Sequence, residues 1–317
     1  MLIQNAPKTP KTRAQKSQLR QQEALLAYLL ILPSTLGILV FAVFPILASM
    51  GISMTSWGGL TQPTFENFKN QFTGLQNYQT ALSDDRVLRS ISHTLTYVLL
   101  SVPVGVAVSL GIATLIHNLK SSFLKTFFRT TYYLPMVTIG VAVALLWQLM
   151  LNPQGLINLM LGWFGIKGPS WLASPEWVLP AIALFSVWQG SGTSIILFLT
   201  ALSNVNKELY EAAQLDGATG WNAFLKITFP MISPTLFLVL VLSLISSLQV
   251  FDAVLVMTNG GPGDSSTTIA VYIYKTAFQY FKYGYSAALA WILSVFLIVL
   301  TLVQWRMQRG WVNHDQQ

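Results

Sequence analysis

Residues 206–230 read NKELYEAAQLDGATGWNAFLKITFP, and this polar stretch lies between two long apolar segments. The Asn206 side chain is suited to cap a helix, because its carbonyl oxygen can accept from a free amide of the first turn. Glu211 favours the early part of such a helix, where the helix dipole is positive. Gly217 favours a left-handed residue that ends the helix. The stretch therefore predicts a short helix closed by a tight turn, followed by a second short helix.

Small and apolar side chains share one face of the first of these helices. Leu209, Ala212, Ala213 and Asp216 recur at offsets of three and four residues. Thr219 is placed to cap the second helix. Two interpretations fit this pattern. The hairpin is either an amphipathic element that lies on a membrane surface, or a docking site where the small alanines allow another protein to approach closely.

The composition of the whole chain is that of a membrane protein. Of its 317 residues, 53% are hydrophobic and only 9% are charged, with a mean hydropathy of +0.55. These values exclude an ordinary water-soluble enzyme. The net charge of +7 is explained better by basic cytoplasmic loops than by a nucleic-acid partner. The absence of cysteine excludes a disulfide scaffold and cysteine-ligated metal centres.

Six segments are long and apolar enough to cross a bilayer, which takes about 20 residues in a helix. They lie near residues 25–50, 91–116, 130–151, 177–201, 234–257 and 286–305. We expect an all-α integral membrane protein with a transmembrane domain over 25–305. Residues 1–24 are predicted to be a disordered basic tail, and residues 306–317 a second tail. The first segment is too long for a typical cleaved signal peptide.

The distribution of basic residues indicates the orientation. With the N-terminus inside, the inner segments carry twelve Lys and Arg and the outer segments carry six. The positive-inside rule then predicts that both termini and residues 204–231 are cytoplasmic. The prolines within the spans are expected to bend their helices; they are Pro33, Pro45, Pro103, Pro135 and Pro180.

Signatures of enzymatic chemistry are missing. The chain has no GxxxxGK[ST] phosphate loop, no HExxH pair and no GxSxG elbow. His93, His117 and His314 are far apart in the sequence, so a histidine metal site is not indicated. We therefore expect no catalytic residue, no bound metal and no cofactor on this chain.

Polar residues cluster at matching depth in the fourth and fifth spans and predict a solute path. The candidates are Trp188, Gln189, Thr193, Ser194, Ser246, Gln249 and Asp252. Asp252 is the only formal charge in the six spans. The serines could instead bond backbone carbonyls, and Trp188 could pack between helices rather than against a solute.

Two further segments lie on the outer side in this topology. Residues 258–263, TNGGPG, on their own predict only a turn. The aromatic residues that follow are interpreted as an interfacial belt rather than a sugar site. They are Tyr272, Tyr274, Phe278, Tyr280, Phe281, Tyr283 and Tyr285.

The stretch from Glu211 to Pro230 resembles the EAA loop of permease subunits of binding-protein-dependent ABC importers. The resemblance rests on Glu211-Ala212-Ala213, Asp216-Gly217-Ala218, Phe224, Ile227 and Pro230. Phe229 stands where the family commonly has Leu. Residues 72–78, FTGLQNY, and 258–263 resemble segments of the carbohydrate-uptake permeases. The long basic N-terminus resembles that of the first permease in maltose and glycerol-phosphate systems.

This resemblance implies a type I ABC importer permease fold in the cell inner membrane, with coupling helices at about 204–231. It implies a homologous second permease, an ATPase dimer that binds ATP and Mg, an external solute-binding protein and a sugar-like solute. By position, Glu211 would contact the ATPase, Ala212 and Ala213 would allow close docking, and Gly217 would form the turn. Asp216 completes this set of residues expected to couple to the ATPase. Asp252 would face the cavity or pair with the second permease. A secondary transporter driven by an ion gradient, a membrane enzyme and a non-transporting scaffold are the alternatives.

Overall fold

The computed structural model describes residues 13–62, 64–215, 217–218 and 220–308, except for the side chains of residues 13–22, 65 and 68. The regular secondary structure of the described part is helical, apart from one isolated bridge between Thr55 and Phe72. Its first helices are α1 Arg13–Ile38, α2 Phe44–Ser53, α3 Phe65–Asn70, α4 Gln76–Ser83, α5 Asp85–Asn118, α6 Ser122–Val137, α7 Gly140–Met150 and α8 Leu156–Trp163. Its later helices are α9 Val178–Asn204, α10 Lys207–Leu215, α11 Trp221–Ala223, α12 Phe229–Met231, α13 Ser233–Leu248, α14 Asp252–Thr258, α15 Ile269–Phe278 and α16 Tyr283–Met307.

Four of the described helical runs are long and apolar enough to cross a membrane unbroken. They are Glu23–Ser53, Asp85–Asn118, Val178–Asn204 and Tyr283–Met307. Two bent helix pairs bring the number to six when each pair is taken as one span. Each of the six predicted segments therefore overlaps one of these helices or bent pairs, and the second pair also includes Trp221–Met231 of the predicted hairpin.

The predicted N-terminal tail is helical where the structure describes it. Helix α1 begins at Arg13, inside the segment 1–24 that we expected to be disordered. Residues 13–24 are rich in Arg, Gln, Lys and Ala and contain neither Gly nor Pro, so helix propensity is high throughout. A π-helical segment, Leu39–Val43, joins α1 to α2. Residues 1–12 and 309–317, which include the rest of the predicted tails, lie outside the described residues.

The third predicted span is broken in its middle. Helices α6 and α7 meet at an angle of 98° over Thr138 and Ile139. Pro135 lies in the last turn of α6, and the Thr138 hydroxyl donates to its carbonyl oxygen at 2.6 Å. That side-chain bond satisfies a carbonyl at the helix end. By contrast, Pro33 and Pro103 lie within uninterrupted helices.

The fifth predicted span, 234–257, is also not one helix. Helix α13 ends at Leu248, and α14 begins at Asp252 after a break over Gln249–Phe251. Tight turns form there, because the amides of Gln249 and Val250 donate to carbonyls three residues earlier. At its other end α13 makes a 70° bend with the preceding run Trp221–Met231. That run widens into a π-helical turn at Phe224–Thr228, just before Pro230.

Helix α9 forms the centre of the bundle. It packs most extensively on α5 and also contacts α6 and α13. Near its start, Phe185 belongs to a buried cluster that includes Leu151 on the α7 side and Val254 of α14. Near its end, Phe198 belongs to a second cluster with Ile116 of α5 and Ile232. One continuous helix thus links both ends of the core.

The N-terminal span lies at the edge of the bundle. The most apolar 18-residue window of Glu23–Ser53 has no buried residue, although α2 packs against α16. A side chain at Gly284 would collide with the Thr55 backbone, which explains glycine at that crossing. The exposed apolar surface of α1 is suited to lipid or to a neighbouring membrane subunit.

Candidate functional site

The predicted hairpin is present, and its turn has the expected geometry. The Asn206 Oδ1 atom accepts from the Glu208 amide at 3.0 Å and caps α10. Gly217 has a φ of +75°. Its amide donates to the Gln214 carbonyl, and the Ala218 amide donates to the Ala213 carbonyl at 2.8 Å. These two bonds form a Schellman motif with Gly217 at its left-handed position.

Glu211 and Ala212 are exposed on α10, while Ala213 is half-buried. Leu215 is 91% exposed and Trp221 70% exposed, with the Trp221 ring stacked on Phe224 at 5.3 Å. Large exposed apolar groups beside small alanines are typical of a surface that another protein covers. Asp216 and Thr219, predicted as a coupling residue and a cap, lie outside the described residues. Gly220 occupies the cap position of the second helix.

The hairpin is firmly attached to the bundle. The hydroxyls of Tyr210 and Thr228 are 2.8 Å apart, which joins α10 to the π-helical turn. Tyr210 and Ile227 pack against the cluster of Phe198 and Ile232. The hairpin is therefore joined to the ends of α9 and α13 by one hydrogen bond and by apolar packing.

A cavity of about 570 Å³ lies between α5, α9 and the broken α13–α14 run. Six of the seven predicted path residues line it. They are Gln189, Thr193, Ser194, Ser246, Gln249 and Asp252. Trp188 does not line it; its ring lies 5.4 Å from the ring of Trp147 on α7, and the residue is 40% exposed. The structure thus favours the packing interpretation for this tryptophan.

Asp252 lies at the break between α13 and α14. It is the first residue of α14 and is exposed toward the cavity. Gln249, Val250 and Phe251, which form this break, also line the cavity. Among the lining residues of this cavity, Asp252 alone carries a formal charge. The rest of the polar lining consists of hydroxyl and amide groups, which suit a solute rich in hydroxyls.

A wall of the cavity that sequence reasoning missed comes from α5. Tyr97, Ser101, Gly105 and Ser109 line the cavity at intervals of four residues. The Ser101 hydroxyl donates to the Ser247 hydroxyl at 3.3 Å, which links this wall to α13. The pattern that could have revealed it is the stripe of small and polar residues at helical spacing within an apolar span.

Nothing in the described residues indicates a metal centre. Within the described residues, no group of three or more His, Asp or Glu side chains is placed to hold a metal ion. His93 and His117, the two histidines in the described part, lie toward opposite ends of α5.

The glycine-rich turn at the other end of the bundle is tightly bonded. Asn259 and Gly260 both have positive φ, at 48° and 83°. The Thr267 hydroxyl donates to the Gly260 carbonyl at 3.1 Å, and the hydroxyls of Thr258 and Ser266 are 2.8 Å apart. This agrees with the turn predicted for residues 258–263.

Two of the aromatic residues after that turn meet one carboxylate. The hydroxyls of Tyr272 and Tyr285 donate to the same oxygen of Asp84, at 3.0 and 2.9 Å. Burial raises the pKa of Asp84, but the Arg86 amide and the two tyrosine hydroxyls outweigh burial, so the pKa lies below its ordinary value. Burial, followed by the hydrogen bond to Asp84, raises the pKa of Tyr272 to about 12. These bonds tie α15 and α16 to the start of α5.

Comparison with known proteins gives consistent matches over nearly the whole chain. The family described as "binding-protein-dependent transport system inner membrane component" matches residues 78–311. A probable ABC transporter permease of Bacillus subtilis, YesP, is 34% identical over 95% of this chain and 96% of its own length. The trehalose/maltose transport system permease MalF of Thermococcus litoralis is 31% identical over 92% of this chain and 97% of its own length.

A solved structure shares the fold. A chain from a bacterial ABC transporter involved in the import of the acidic polysaccharide alginate superposes with a TM-score of 0.79 and 29% identity. The match covers 93% of this chain and 99% of that chain. The all-helical fold of the type I importer permeases, which the sequence resemblance implied, is therefore confirmed.

Proposed function

This chain belongs to the family of inner-membrane components of binding-protein-dependent transport systems, and we propose that it works in an ATP-driven importer of sugars or related glycosides. It is a multi-pass membrane protein and a transport permease. The solute proposal draws on relatives whose printed names include lactose and trehalose/maltose transport. It is supported by a cavity whose uncharged polar lining consists of hydroxyl and amide groups set among apolar side chains.

The observation that carries the proposal is the physical link between the cavity and the hairpin. Gln189, Thr193 and Ser194 line the cavity from α9, and α9 continues to Asn204, where the hairpin begins. The exposed face of α10 is the proposed docking site for a separate ATPase dimer, which would bind ATP and Mg. Glu211 supplies a polar contact and the two alanines after it allow close approach.

The orientation follows from charge in this proposal. Both termini and the hairpin face the cytoplasm, because the segments on that side carry the larger number of Lys and Arg. The opposite end, with the turn at 258–263, then meets a solute-binding protein outside the cytoplasmic membrane. A homologous second permease completes the path and covers exposed apolar surface. The mechanism is a change of packing between these subunits, with no covalent chemistry on this chain.

Reconstitution of the chain with its partner subunits in proteoliposomes tests the proposal. We expect sugar uptake to require ATP inside the liposomes and the solute-binding protein outside. Uptake driven by a proton or sodium gradient without ATP would contradict it and would support a secondary transporter. Two variants accompany this uptake assay. Asp252→Ala alters the cavity, and Lys69→Gln, in the distant helix α3, is the control.

A further inference from the structure

A second cavity, of about 300 Å³, lies at the end of the bundle opposite the hairpin and has a basic wall. Arg86, Arg89, His93 and Lys275 contribute to this wall, and we call it the basic pocket. Asp264 is the acid among its lining residues. The pocket is separate from the solute cavity, because the two share no lining residue.

Lys275 is the most informative member of the basic pocket. The residue is 8% exposed, yet its ammonium donates to the Asp264 carboxylate and the Thr267 hydroxyl only at 3.5 Å. A buried ammonium is costly unless it is well paired, and it has three N–H groups to donate. The Asp264 side chain is 73% exposed, so solvent weakens this ion pair. An anion in the pocket would complete the bonding of Lys275.

The pocket lies where an apolar span begins. Arg86 and Arg89 are in the first two turns of α5, immediately before the apolar run predicted at 91–116. Tyr272 and Tyr280 also line the pocket. Arginines and tyrosines at the end of a membrane span are typical of the depth occupied by lipid headgroups.

An exposed apolar stripe runs along α5 next to this pocket. Leu88, Leu95 and Leu99 are 54%, 45% and 71% exposed. Their spacing of seven and four residues puts them on one face of the helix, and Arg89 lies about 100° further round. A ligand that combines an anionic group with a hydrocarbon chain matches the pocket and the stripe together.

We propose that the basic pocket binds the phosphate group of an anionic phospholipid, with an acyl chain along the leucine stripe of α5. Lys275 and Arg89 are the principal phosphate ligands. The lipid would neutralise the buried ammonium and hold the turn at 258–263 against α5. This role is independent of the transported solute.

The test uses the full chain purified with its partner subunits and transferred to nanodiscs. Discs of phosphatidylcholine alone are compared with discs that also contain phosphatidylglycerol. We expect phosphatidylglycerol to raise the Tm of the natural chain and to be retained through detergent exchange, as measured by mass spectrometry. Arg89→Gln and Lys275→Gln should each reduce retention at least fivefold and abolish the Tm shift, whereas Lys69→Gln in α3 should not. Arg89 is exposed, so its variant provides a result even where Lys275→Gln fails to fold.

Three outcomes would overturn the proposal. The first is equal phosphatidylglycerol retention in the natural chain and both pocket variants. The second is an equal Tm shift with inorganic phosphate alone, which would identify a free-anion site. The third is unchanged lipid retention with weaker affinity for the solute-binding protein, which would make the pocket a docking site for an acidic side chain.

Discussion

The hydroxyls of Tyr210 and Thr228 lie 2.8 Å apart and join the exposed helix α10 to the π-helical turn that leads into α13. Thr228 is buried, and the carbon skeleton of Tyr210 packs on the cluster around Phe198. A polar bond and an apolar contact therefore act together at the point where the hairpin meets the bundle. This contact is the strongest structural argument that the hairpin transmits movement.

Tyr210→Phe removes the hydrogen bond but keeps the ring. The loss of one such bond costs about 1 kcal/mol, close to a fivefold change in an equilibrium constant. We expect the ATPase to remain bound while the sugar transported per ATP hydrolysed falls several-fold. Uptake and ATPase activity of the same proteoliposomes measure this ratio. Tyr28→Phe, on the exposed face of α1, is the control; an unchanged ratio in Tyr210→Phe would argue against transmission through this bond.

Gly217→Val strains the left-handed residue that ends α10. The left-handed conformation costs a residue with a Cβ roughly 1–2 kcal/mol, while no atom lies within 4 Å of an added Cβ to cause a clash. We expect roughly 5–30-fold weaker association with the ATPase, measured by copurification at limiting ATPase concentration. Gly217→Asn should retain most of the association, because Asn tolerates this conformation. A Gly217→Val complex that assembles and transports normally would contradict the coupling role.

Gln189 and Trp188 are neighbours with different environments, and they should respond differently to substitution. Gln189 lines the cavity, so Gln189→Ala should reduce uptake and solute-stimulated ATPase activity without lowering Tm. Trp188 packs on Trp147, so Trp188→Ala should lower Tm with a smaller effect on uptake. Differential scanning fluorimetry and transport assays on both variants separate the two effects. A large uptake defect in a thermally normal Trp188→Ala chain would restore its assignment to the path.

Asp84 should make stability depend on acid pH. Its pKa is lowered in the folded chain, so its stabilising effect is complete above the unfolded pKa of about 3.9 and is lost as the pH falls through the lower folded value. We expect the Tm of the natural chain to drop more steeply below about pH 4 than that of Asp84→Asn. Thermal unfolding from pH 3 to pH 7 measures this. Parallel curves for the two chains would show that the tyrosine bonds to Asp84 do not stabilise the fold.

The sequence was sufficient to predict the parts of this protein that depend on local chemistry. Asn206 caps α10 through its own side chain, and Gly217 ends it through its own backbone conformation. Both predictions are confirmed. The bend near Thr138 agrees with the one expected at Pro135. The break at Gln249–Phe251 was not predicted, because mean hydropathy does not change where a helix stops. The sequence left the role of Trp188 open between packing and the solute path, because its depth along a helix could be inferred but its neighbour Trp147 could not.

The cavity wall on α5 was missed for a different reason. Ser101, Gly105 and Ser109 were not among the predicted path residues, although their spacing of four residues marks one helical face. Their function depends on the serines of α13 that they face, such as Ser247, and this pairing is a tertiary relationship. Asp252 was recognised correctly as unusual because a carboxylate within an apolar run is costly regardless of partners.

Because α9 is continuous, the cavity and the hairpin at its two ends are not expected to move independently. About 17 Å of unbroken helix separates Thr193 from Asn204, at 1.5 Å per residue. An unbroken helix of that length is expected to tilt and rotate as one body. A small molecule wedged beside Thr193, or a cross-link across Asn204, should therefore immobilise the other end as well, so the permease offers two distant places for one inhibitory effect.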